Sequence, residues 1–305
     1  KGVDELVCSW KALAPSMNWE GVYHTEALKA PEAEAKVDAL VSELGDDAVS
    51  ASADAETDGA VSGNGFNHVT VLLHETVDML AAGPGKLIVD CTLGGGGHTE
   101  FLLEQGATVW GIDRDPDARR AAALKLARFG SRFKVLAGNF QDVESILAQQ
   151  GVSQVDGLLA DLGVSSHQLD TASRGFSFRE DGPLDMRMDT RAAFSARNLV
   201  NEAPEEEIAD ILWQFGEERA SRAIARAIVK ARSTTAQLAR VVESVLPRKG
   251  RQHPGTRTFQ ALRIAVNGEL DALDALLDSS VRLLGKGGRM AVITFHSLED
   301  RRVKQ

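Results

Sequence analysis

Short apolar runs alternate with amphipathic stretches along the chain from His68 onward. The stretches between the first four runs have the length and spacing of helices, so each run is interpreted as a buried strand. Strands that alternate with helices predict an α/β fold, with a mainly parallel sheet covered by helices on both faces. The predicted strands span 86–92, 108–113, 133–139, 155–162 and 287–295.

More than a hundred residues between the fourth and fifth predicted strands have a mostly helical pattern. Pro204 followed by three glutamates indicates a helix start, because proline fits the first turn and acids favour its positive dipole end. That helix is expected to stop at Gly216, with further helices over 217–232 and 235–246. We therefore predict an all-helical subdomain at 171–266, inserted into a sheet domain formed by 68–170 and 267–305.

The first 67 residues differ from the rest of the chain in composition. They contain 4 Lys, no Arg and 13 Asp or Glu, a charge of −9, whereas the remainder carries 30 basic and 31 acidic side chains. Residues 1–67 are therefore interpreted as an acidic, low-complexity extension. From Pro31 to Asn67 there is too little apolar surface to offset ordering entropy, which predicts disorder. The sequence does not decide whether the first 30 residues, with Trp10, Trp19 and Tyr23, form a short ordered element. Nearly all of the net charge of −10 belongs to this extension, so the net charge does not indicate which ligands residues 68–305 bind.

Three features of the sequence predict the cellular compartment of the protein. Cys8 and Cys91 stand in unlike contexts, no run approaches the roughly 18 apolar residues of a membrane span, and no secretory signal pattern opens the chain. These features predict a cytoplasmic protein without membrane contact. The alternative is the chloroplast stroma or the mitochondrial matrix, if the extension remains from a processed organellar leader.

Four consecutive glycines follow the first predicted strand, in the segment VDCTLGGGGHTEFLLEQGA. Gly94 and Gly96 fit the first two positions of a dinucleotide fingerprint, but Thr99 stands where its third glycine would be. One interpretation is a tight strand–helix turn. The other is a bare backbone, including Gly97, on which a nucleoside ligand lies.

Three further residues favour the nucleoside interpretation. Asp113 ends the second strand and can accept hydrogen bonds from both ribose hydroxyls, Phe140 follows the third strand and can lie against adenine, and Asp161 ends the fourth. This order is typical of S-adenosylmethionine-dependent methyltransferases. The alternatives are that Asp113 only caps the next helix, that Phe140 is a core residue, and that His98 is an ordinary first-turn residue.

Basic residues concentrate in the predicted insert. From Gly216 to Arg263 there are 11 Lys or Arg against 3 acids. Four of them recur at spacings of 3, 4 and 4, which predicts one helix face suited to RNA phosphates, and Arg257, Lys249 and Arg251 follow in a loop. A solvated helix face is the alternative. The four are Arg219, Arg222, Arg226 and Lys230.

Five long segments resemble the ribosomal RNA small-subunit methyltransferase H family. They are HVTVLLHETV (68–77), DLGVSSHQLDTASRGFSFREDGPLDMRMD (161–189), GEERASRAIARAIV (216–229), HPGTRTFQALRIAVN (253–267) and FHSLEDRRVK (295–304). The resemblance covers about 68–305. It implies a Rossmann-like class I methyltransferase sheet with a helical insert, and a sheet domain that continues beyond Gln305.

The same resemblance implies an activity and a site. Family members transfer the methyl group of S-adenosylmethionine to N4 of a cytidine in the decoding region of 16S rRNA. The partner is then small-subunit rRNA or the assembled small subunit, and a homodimer stays open. The implied cofactor contacts are Gly96, Gly97, His98, Asp113, Phe140, Asp161 and Gln168.

Catalysis is expected in the turn after the fourth strand. Asp161, Ser165 and Ser166 are the candidates for orienting the exocyclic amine, through a side chain or a backbone carbonyl. Phe176 and Phe178 are candidates to stack on the target base, the alternative being that they anchor a long loop on the core. No His/Cys cluster has metal-ligand spacing, so no metal site is predicted.

Two rival functions stay open at this point. An NAD-dependent oxidoreductase is disfavoured by the missing third glycine and the basic insert. A non-catalytic RNA-binding or assembly factor is disfavoured by the intact glycines, Asp113 and Asp161.

Overall fold

The computed structural model describes residues 5–9, 70–231, 235–246 and 253–305. The segment from Pro31 to Asn67, for which the sequence predicts disorder, lies outside the described residues, as do Lys249 and Arg251. Across the described ranges, no helix has the length and apolar character needed to cross a membrane.

The described strands form one six-stranded parallel sheet in the order β1-β6-β5-β2-β3-β4. This confirms the predicted parallel α/β architecture, and the first four predicted strands agree within two residues at each end. The strands are β1 (Glu5–Ser9), β2 (Leu87–Asp90), β3 (Thr108–Asp113), β4 (Phe133–Ala137), β5 (Val155–Asp161) and β6 (Leu284–Ile293).

Strand β1 is the element that the sequence left undecided. It pairs with β6 at the edge of the sheet, with Glu5 opposite Arg289 and Ser9 opposite Ile293. Strand β6 itself begins three residues before its predicted start, at Leu284.

Helices cover both faces of the sheet and fill the span between β5 and β6. They are α1 (Leu73–Leu80), α2 (Gly97–Glu104), α3 (Pro116–Leu126), α4 (Val143–Ala148), α5 (Ser166–Asp170), α6 (Ala196–Glu202), α7 (Glu205–Gly216), α8 (Ser221–Ala231), α9 (Thr235–Val245), α10 (Thr256–Asn267), α11 (Glu269–Leu283) and α12 (Ser297–Val303).

Each face of the sheet has its own hydrophobic cluster. Val89 and Leu158 pack with Leu273 of α11 on one face, whereas Ile88 and Leu159 pack with α1 and α2 on the other. Because successive strand residues point to opposite faces, apolar runs such as Leu158-Leu159 serve both clusters. The runs are continuous for that reason.

The inserted helices have a separate cluster. Helices α6 to α10 bury apolar side chains against one another, among them Ile224 and Ile228 of α8. The helical character predicted for this part of the chain is confirmed, whereas the boundaries 68–170, 171–266 and 267–305 stay a prediction.

Helix α8 begins at Ser221 and not, as predicted, near Glu217. Glu217 adopts a left-handed conformation (φ 48°) and ends α7, so the chain turns before the next helix starts. Arg219 therefore lies in the turn, off the helix face on which the sequence placed it. The residue spacing alone did not reveal this turn.

Candidate active site

A cavity of about 480 Å³ opens at the carboxyl ends of the parallel strands. That volume lies within the roughly 300–1,000 Å³ that small-molecule sites occupy, and this edge is where open α/β sheets bind ligands. Three aspartates end three neighbouring strands here, because Asp161, Asp90 and Asp113 close β5, β2 and β3.

The glycine turn between β2 and α2 forms one side of the cavity. Gly94 (φ 49°) lies in the left-handed region, and its N–H donates to Asp113 Oδ2 at 2.8 Å. Gly94 and Gly97 both line the cavity.

Gly96, which the sequence analysis assigned to the cofactor, packs against the protein itself. Gly96 (φ 77°) faces α3, where an added Cβ would lie 2.8 Å from Leu126 Cδ1, and it does not line the cavity. A Cβ on Gly97 would collide with the side chain of Thr70. The protein's own packing, and not only a ligand, therefore requires bare backbone at these two positions.

Asp113 holds this turn in place. Its Oδ1 accepts from Asp115 N at 2.8 Å, and burial raises its pKa. The helix cap that the sequence considered for Asp113 is supplied instead by Asp115, which accepts from Asp117 N. Each carboxylate oxygen of Asp113 keeps a second lone pair for a ligand hydroxyl, and the residue lines the cavity.

Phe140 lines the far end of the cavity, directly after β4 and Asn139. Its ring is half-buried and packs against the cluster on one sheet face. This packing supports the core interpretation, and contact of the ring with adenine stays a prediction.

Asp161 is the group with unused hydrogen-bonding capacity. Among the described residues, its buried Oδ1 has no hydrogen-bond partner. Burial raises the pKa of Asp161 well above its usual range, and the charges of Asp90 and Glu299 raise it further. A buried acceptor without a donor costs free energy, which makes this position in the cavity wall a candidate ligand contact.

His98 lies beside Asp161 near the start of α2. Its Nδ1 is 3.7 Å from Asp161 Oδ2, its Nε2 contacts the Val71 carbonyl oxygen at 3.0 Å, and the residue is buried. His98 lines the cavity, and its ring connects Val71, which precedes α1, with the Asp161 carboxylate. An ordinary first-turn residue would not make these two contacts.

Asp90 is a buried acid behind the site that the sequence analysis did not single out. It accepts from Thr99 Oγ1 at 2.7 Å and Thr92 N at 3.1 Å, and burial raises its pKa to about 6. The available signal was an acid at the end of an apolar strand directly before the glycines.

The turn after Asp161 uses its polar side chains structurally. Ser165 caps α5, where its Oγ accepts from Gln168 N and Gln168 Oε1 accepts from Ser165 N at 3.1 Å. Gln168 Nε2 also donates to Asp115 Oδ2 at 2.9 Å. Ser165, Ser166 and Gln168 all line the cavity. Of these three, Ser166 takes no part in the capping interactions.

The opposite wall comes from α10, α11 and the start of α12, and the sequence analysis assigned it no role. Arg263 donates to both oxygens of Glu269 at 2.8 Å. Glu299 Oε2 accepts from Phe295 N at 2.8 Å, and burial raises the pKa of Glu299 to about 7. The signal was present as charged residues within FQALRIAVNGE and FHSLED.

Part of this wall has the ligand types of a metal site. Ligand atoms of Glu269, His296 and Glu299 lie within 4.8 Å of one another, a grouping that sequence spacing did not reveal. However, the Arg263 guanidinium already pairs with both oxygens of Glu269, so a cation occupies that carboxylate. We assign no metal here.

Two predicted RNA-stacking residues lie in the helical core. Phe176 is buried, with 6% of its surface exposed, and Phe178 is half-buried between His253 and Phe259. The centroid of the Phe178 ring lies 4.4 Å from that of His253 and 4.8 Å from that of Phe259. This placement favours the loop-anchor alternative for both.

The basic residues of the insert lie at the surface. Arg222, Arg226 and Lys230 are exposed on α8, opposite its buried isoleucines. Arg226 Nε pairs with Glu205 Oε1 at 3.3 Å, which reduces its charge toward solvent. Arg257 donates to the Glu217 carbonyl oxygen at 3.3 Å.

Comparisons with known proteins identify the family. The model of the MraW methylase family matches residues 65–305. A protein of Trichlorobacter lovleyi named "Ribosomal RNA small subunit methyltransferase H" is 51% identical over 78% of this chain and 80% of its own length. A protein of the same name from Rhodospirillum centenum is 53% identical over 82% of this chain and 77% of its own length. Another from Acinetobacter baylyi is 51% identical over 79% of this chain and 81% of its own length.

Similarity to solved structures is lower. An rRNA methylase structure from Streptococcus thermophilus aligns with 31% of this chain and 57% of its own, with 19% identity and a TM-score of 0.27. The family match spans the glycine turn, the three strand-ending aspartates and the second wall of the cavity alike. The chain belongs to the MraW methylase family.

Proposed function

We propose that this chain transfers the methyl group of S-adenosylmethionine to N4 of a cytidine in the decoding region of small-subunit rRNA. The observation that carries the proposal is the buried Asp161 Oδ1, an acceptor without a donor on a residue that lines the cavity. The names of the relatives support small-subunit rRNA as the substrate, and the residues that line the cavity support methyl transfer from a nucleoside cofactor.

The residues present fit the cofactor. Asp113 is the acceptor for ribose hydroxyls, Phe140 supplies the surface for adenine, and the backbone of Gly94 and Gly97 leaves room for the amino-acid tail. Bound S-adenosylmethionine supplies a methyl group that is already activated on a sulfonium sulfur. Asp161 and Glu299 line the cavity with raised pKa values, and a cation bound there would favour the ionised forms of both carboxyl groups.

The target amine needs help from the protein. The N4 lone pair of cytosine is delocalised into the ring, so the amine is a poor nucleophile until one N–H is held out of conjugation. Asp161, in its ionised form, would accept that N–H at Oδ1 and take the proton that the nitrogen loses as the methyl group leaves sulfur for nitrogen. The raised pKa of Asp161 makes its carboxylate a stronger base once a bound cation favours the ionised form. Ser166 and the backbone of the turn complete the orientation, and positioning supplies much of the rate.

The RNA approaches from the helical insert at 171–266, while 68–170 and 267–305 hold the cofactor. Arg222 and Lys230 contact phosphates, and Arg226 contributes less because of its pair with Glu205. Replacing Arg222 or Lys230 by Ala is expected to lower the slope of log affinity against log salt by about 0.7 to 0.9 each. An unchanged slope for both variants would remove α8 from the interface.

The activity is tested directly by methyl transfer in vitro. Small subunits and naked small-subunit rRNA, each lacking the modification, are incubated with the protein and isotopically labelled S-adenosylmethionine. Mass mapping of nuclease fragments is expected to find label on N4 of one decoding-region cytidine. Binding of NAD in place of S-adenosylmethionine supports the oxidoreductase, and RNA binding without transfer supports the assembly factor. Either result contradicts the proposal.

A further inference from the structure

We propose that Phe295 is the side chain on which the target base stacks, an inference that rests on the proposed function. Phe295 lines the cavity, yet 41% of its surface is exposed. Phe176 and Phe178, which the sequence suggested for this role, are engaged in the helical core. Among the described residues, Phe140 and Phe295 are the phenylalanines that line the cavity.

Strand pairing brings Phe295 to Asp161. Asp161 lies in register with Ile293 on the neighbouring strand, and Leu162 N donates to the Ile293 carbonyl oxygen at 3.0 Å. Phe295 follows Ile293 by two residues, directly after the strand end. Its ring consequently lies beside the turn that follows Asp161, where the amine acceptor is.

Gly163 lies against the Phe295 ring. It has φ 99°, a conformation that favours glycine, and an added Cβ would lie 3.4 Å from Phe295 Cδ2. The turn Asp161-Leu162-Gly163-Val164 contains no aromatic residue of its own. Phe295, two residues beyond the end of β6, supplies the aromatic surface that this turn lacks.

The backbone of Phe295 is fixed before any ligand arrives. Its N–H donates to Glu299 Oε2 at 2.8 Å, as part of the capping interactions that begin α12. A ring on a fixed backbone loses little conformational entropy when a base stacks on it. Its exposed face is also apolar surface that a base would remove from water.

The two aromatic residues lie at opposite ends of the cavity. Phe140 follows β4 and Phe295 follows β6, which are four strand positions apart in the sheet, or roughly 19 Å at the usual spacing. Asp161 ends β5, next to the Phe295 end. The site therefore offers one aromatic surface to adenine and a second to a base turned out of its stack.

The test compares Phe295→Leu and Phe295→Trp with the wild-type chain. The probe is an RNA fragment carrying the decoding region, bound in the presence of S-adenosylhomocysteine. Stacking on an aromatic ring predicts that Phe295→Leu weakens RNA binding about 10-fold or more while Phe295→Trp retains it. Phe194→Leu is the matched control, because Phe194 is 48% exposed and does not line the cavity.

A second readout does not depend on affinity. Ultraviolet cross-linking of the same RNA, carrying 5-iodocytidine at the target position, is expected to join the base to Phe295. Affinity of S-adenosylmethionine should stay unchanged in Phe295→Leu, which also shows that the variant is folded. Equal RNA affinity of Phe295→Leu and wild type, or a cross-link at Phe176 or Phe178 instead, overturns the proposal.

Failure of the two proposals can be told apart. Wild-type protein that cross-links through Phe295 but methylates no cytosine refutes the proposed activity and keeps the stacking residue. Methyl transfer at wild-type efficiency by Phe295→Leu refutes the stacking residue and keeps the activity. Wild-type protein that does not bind the RNA at all overturns both.

Discussion

Asp113 Oδ2 accepts a hydrogen bond of 2.8 Å from the backbone N–H of Gly94, nineteen residues earlier in the chain. This bond joins the end of β3 to the glycine turn after β2, so the residue proposed to bind ribose also shapes the backbone on which the cofactor lies. Its loss should affect cofactor binding in two ways.

We expect Asp113→Ala to weaken S-adenosylmethionine binding by about 100-fold, because it removes both the ribose acceptor and the anchor of the turn. Asp113→Asn keeps an oxygen for the Gly94 N–H and should cost only about 10-fold. Isothermal titration calorimetry measures both. Asp156→Ala is the control, since Asp156 likewise accepts a backbone N–H, from Leu87 at 2.8 Å, but does not line the cavity. Equal affinities for wild type and Asp113→Ala would contradict the assignment.

Asp161 should limit stability while it promotes turnover. Its raised pKa means that, in the folded chain, the carboxyl resists the ionisation that it undergoes freely when unfolded, so the folded state loses stability as pH rises above the ordinary aspartate range. Asp161→Asn is therefore expected to raise Tm, and to raise it more at about pH 8 than at about pH 5.

The same variant should lower the rate of methyl transfer by about 100- to 1,000-fold, because an amide is a poor proton acceptor. Single-turnover kinetics with saturating cofactor measure this rate. If Asp161 served only the cofactor, Asp161→Asn would instead lose affinity for S-adenosylmethionine and keep the rate at saturation.

Cofactor binding should depend on pH. Burial raises the pKa of Asp90 to about 6 and that of Glu299 to about 7, so both carboxyls are largely neutral below those values. A bound sulfonium cation favours their ionised forms, and binding therefore releases protons. The affinity for S-adenosylmethionine is expected to increase as pH rises through about 6 to 7.

S-adenosylhomocysteine, which has no sulfonium charge, supplies the control for this prediction. Its affinity should vary less with pH, and calorimetry in buffers of different ionisation enthalpy should detect fewer released protons. Asp90→Asn should reduce the pH dependence for S-adenosylmethionine. Identical pH profiles for the two ligands would show that these carboxyls do not sense the sulfonium charge.

Gly96 should be required for folding more than for binding. Gly96→Ala is expected to cost about 2–5 kcal/mol in the free energy of unfolding, from the left-handed backbone and the collision with Leu126. Gly85→Ala isolates the backbone contribution, about 1–2 kcal/mol, because Gly85 has φ 82° and no neighbour within 4 Å of an added Cβ. Urea titration of both variants measures the difference. A similar loss of unfolding free energy in the two variants would mean that α3 moves to accommodate the added methyl group.

Much of the fold follows from local pattern. The apolar runs predict the strands, and Pro204 with its three glutamates predicts the start of the helix found at Glu205–Gly216. These signals are local because a strand or helix period is expressed within a few residues. The start of α8 was predicted wrongly, since the left-handed Glu217 depends on how α7 ends and not on helix propensity.

The candidate site was only half visible in the sequence. Asp113 and Asp161 stand at the ends of recognisable strands, and topology brings such ends to one edge. Glu299 and Arg263 lie more than a hundred residues further along, on helices whose pattern gives no sign that they border the same cavity.

The sequence by itself determined the parallel α/β framework, the glycine turn and the family, because these are written in periodicity and in contiguous motifs. Tertiary structure alone decided that Gly96 faces Leu126 and that Phe176 is buried while Phe295 is exposed. It also decided that the charges of Asp90 and Glu299 raise the pKa of Asp161, and that Asp161 and Glu299 line one cavity. Burial and the distance between charges depend on packing between remote segments, and no short stretch of the chain contains that information.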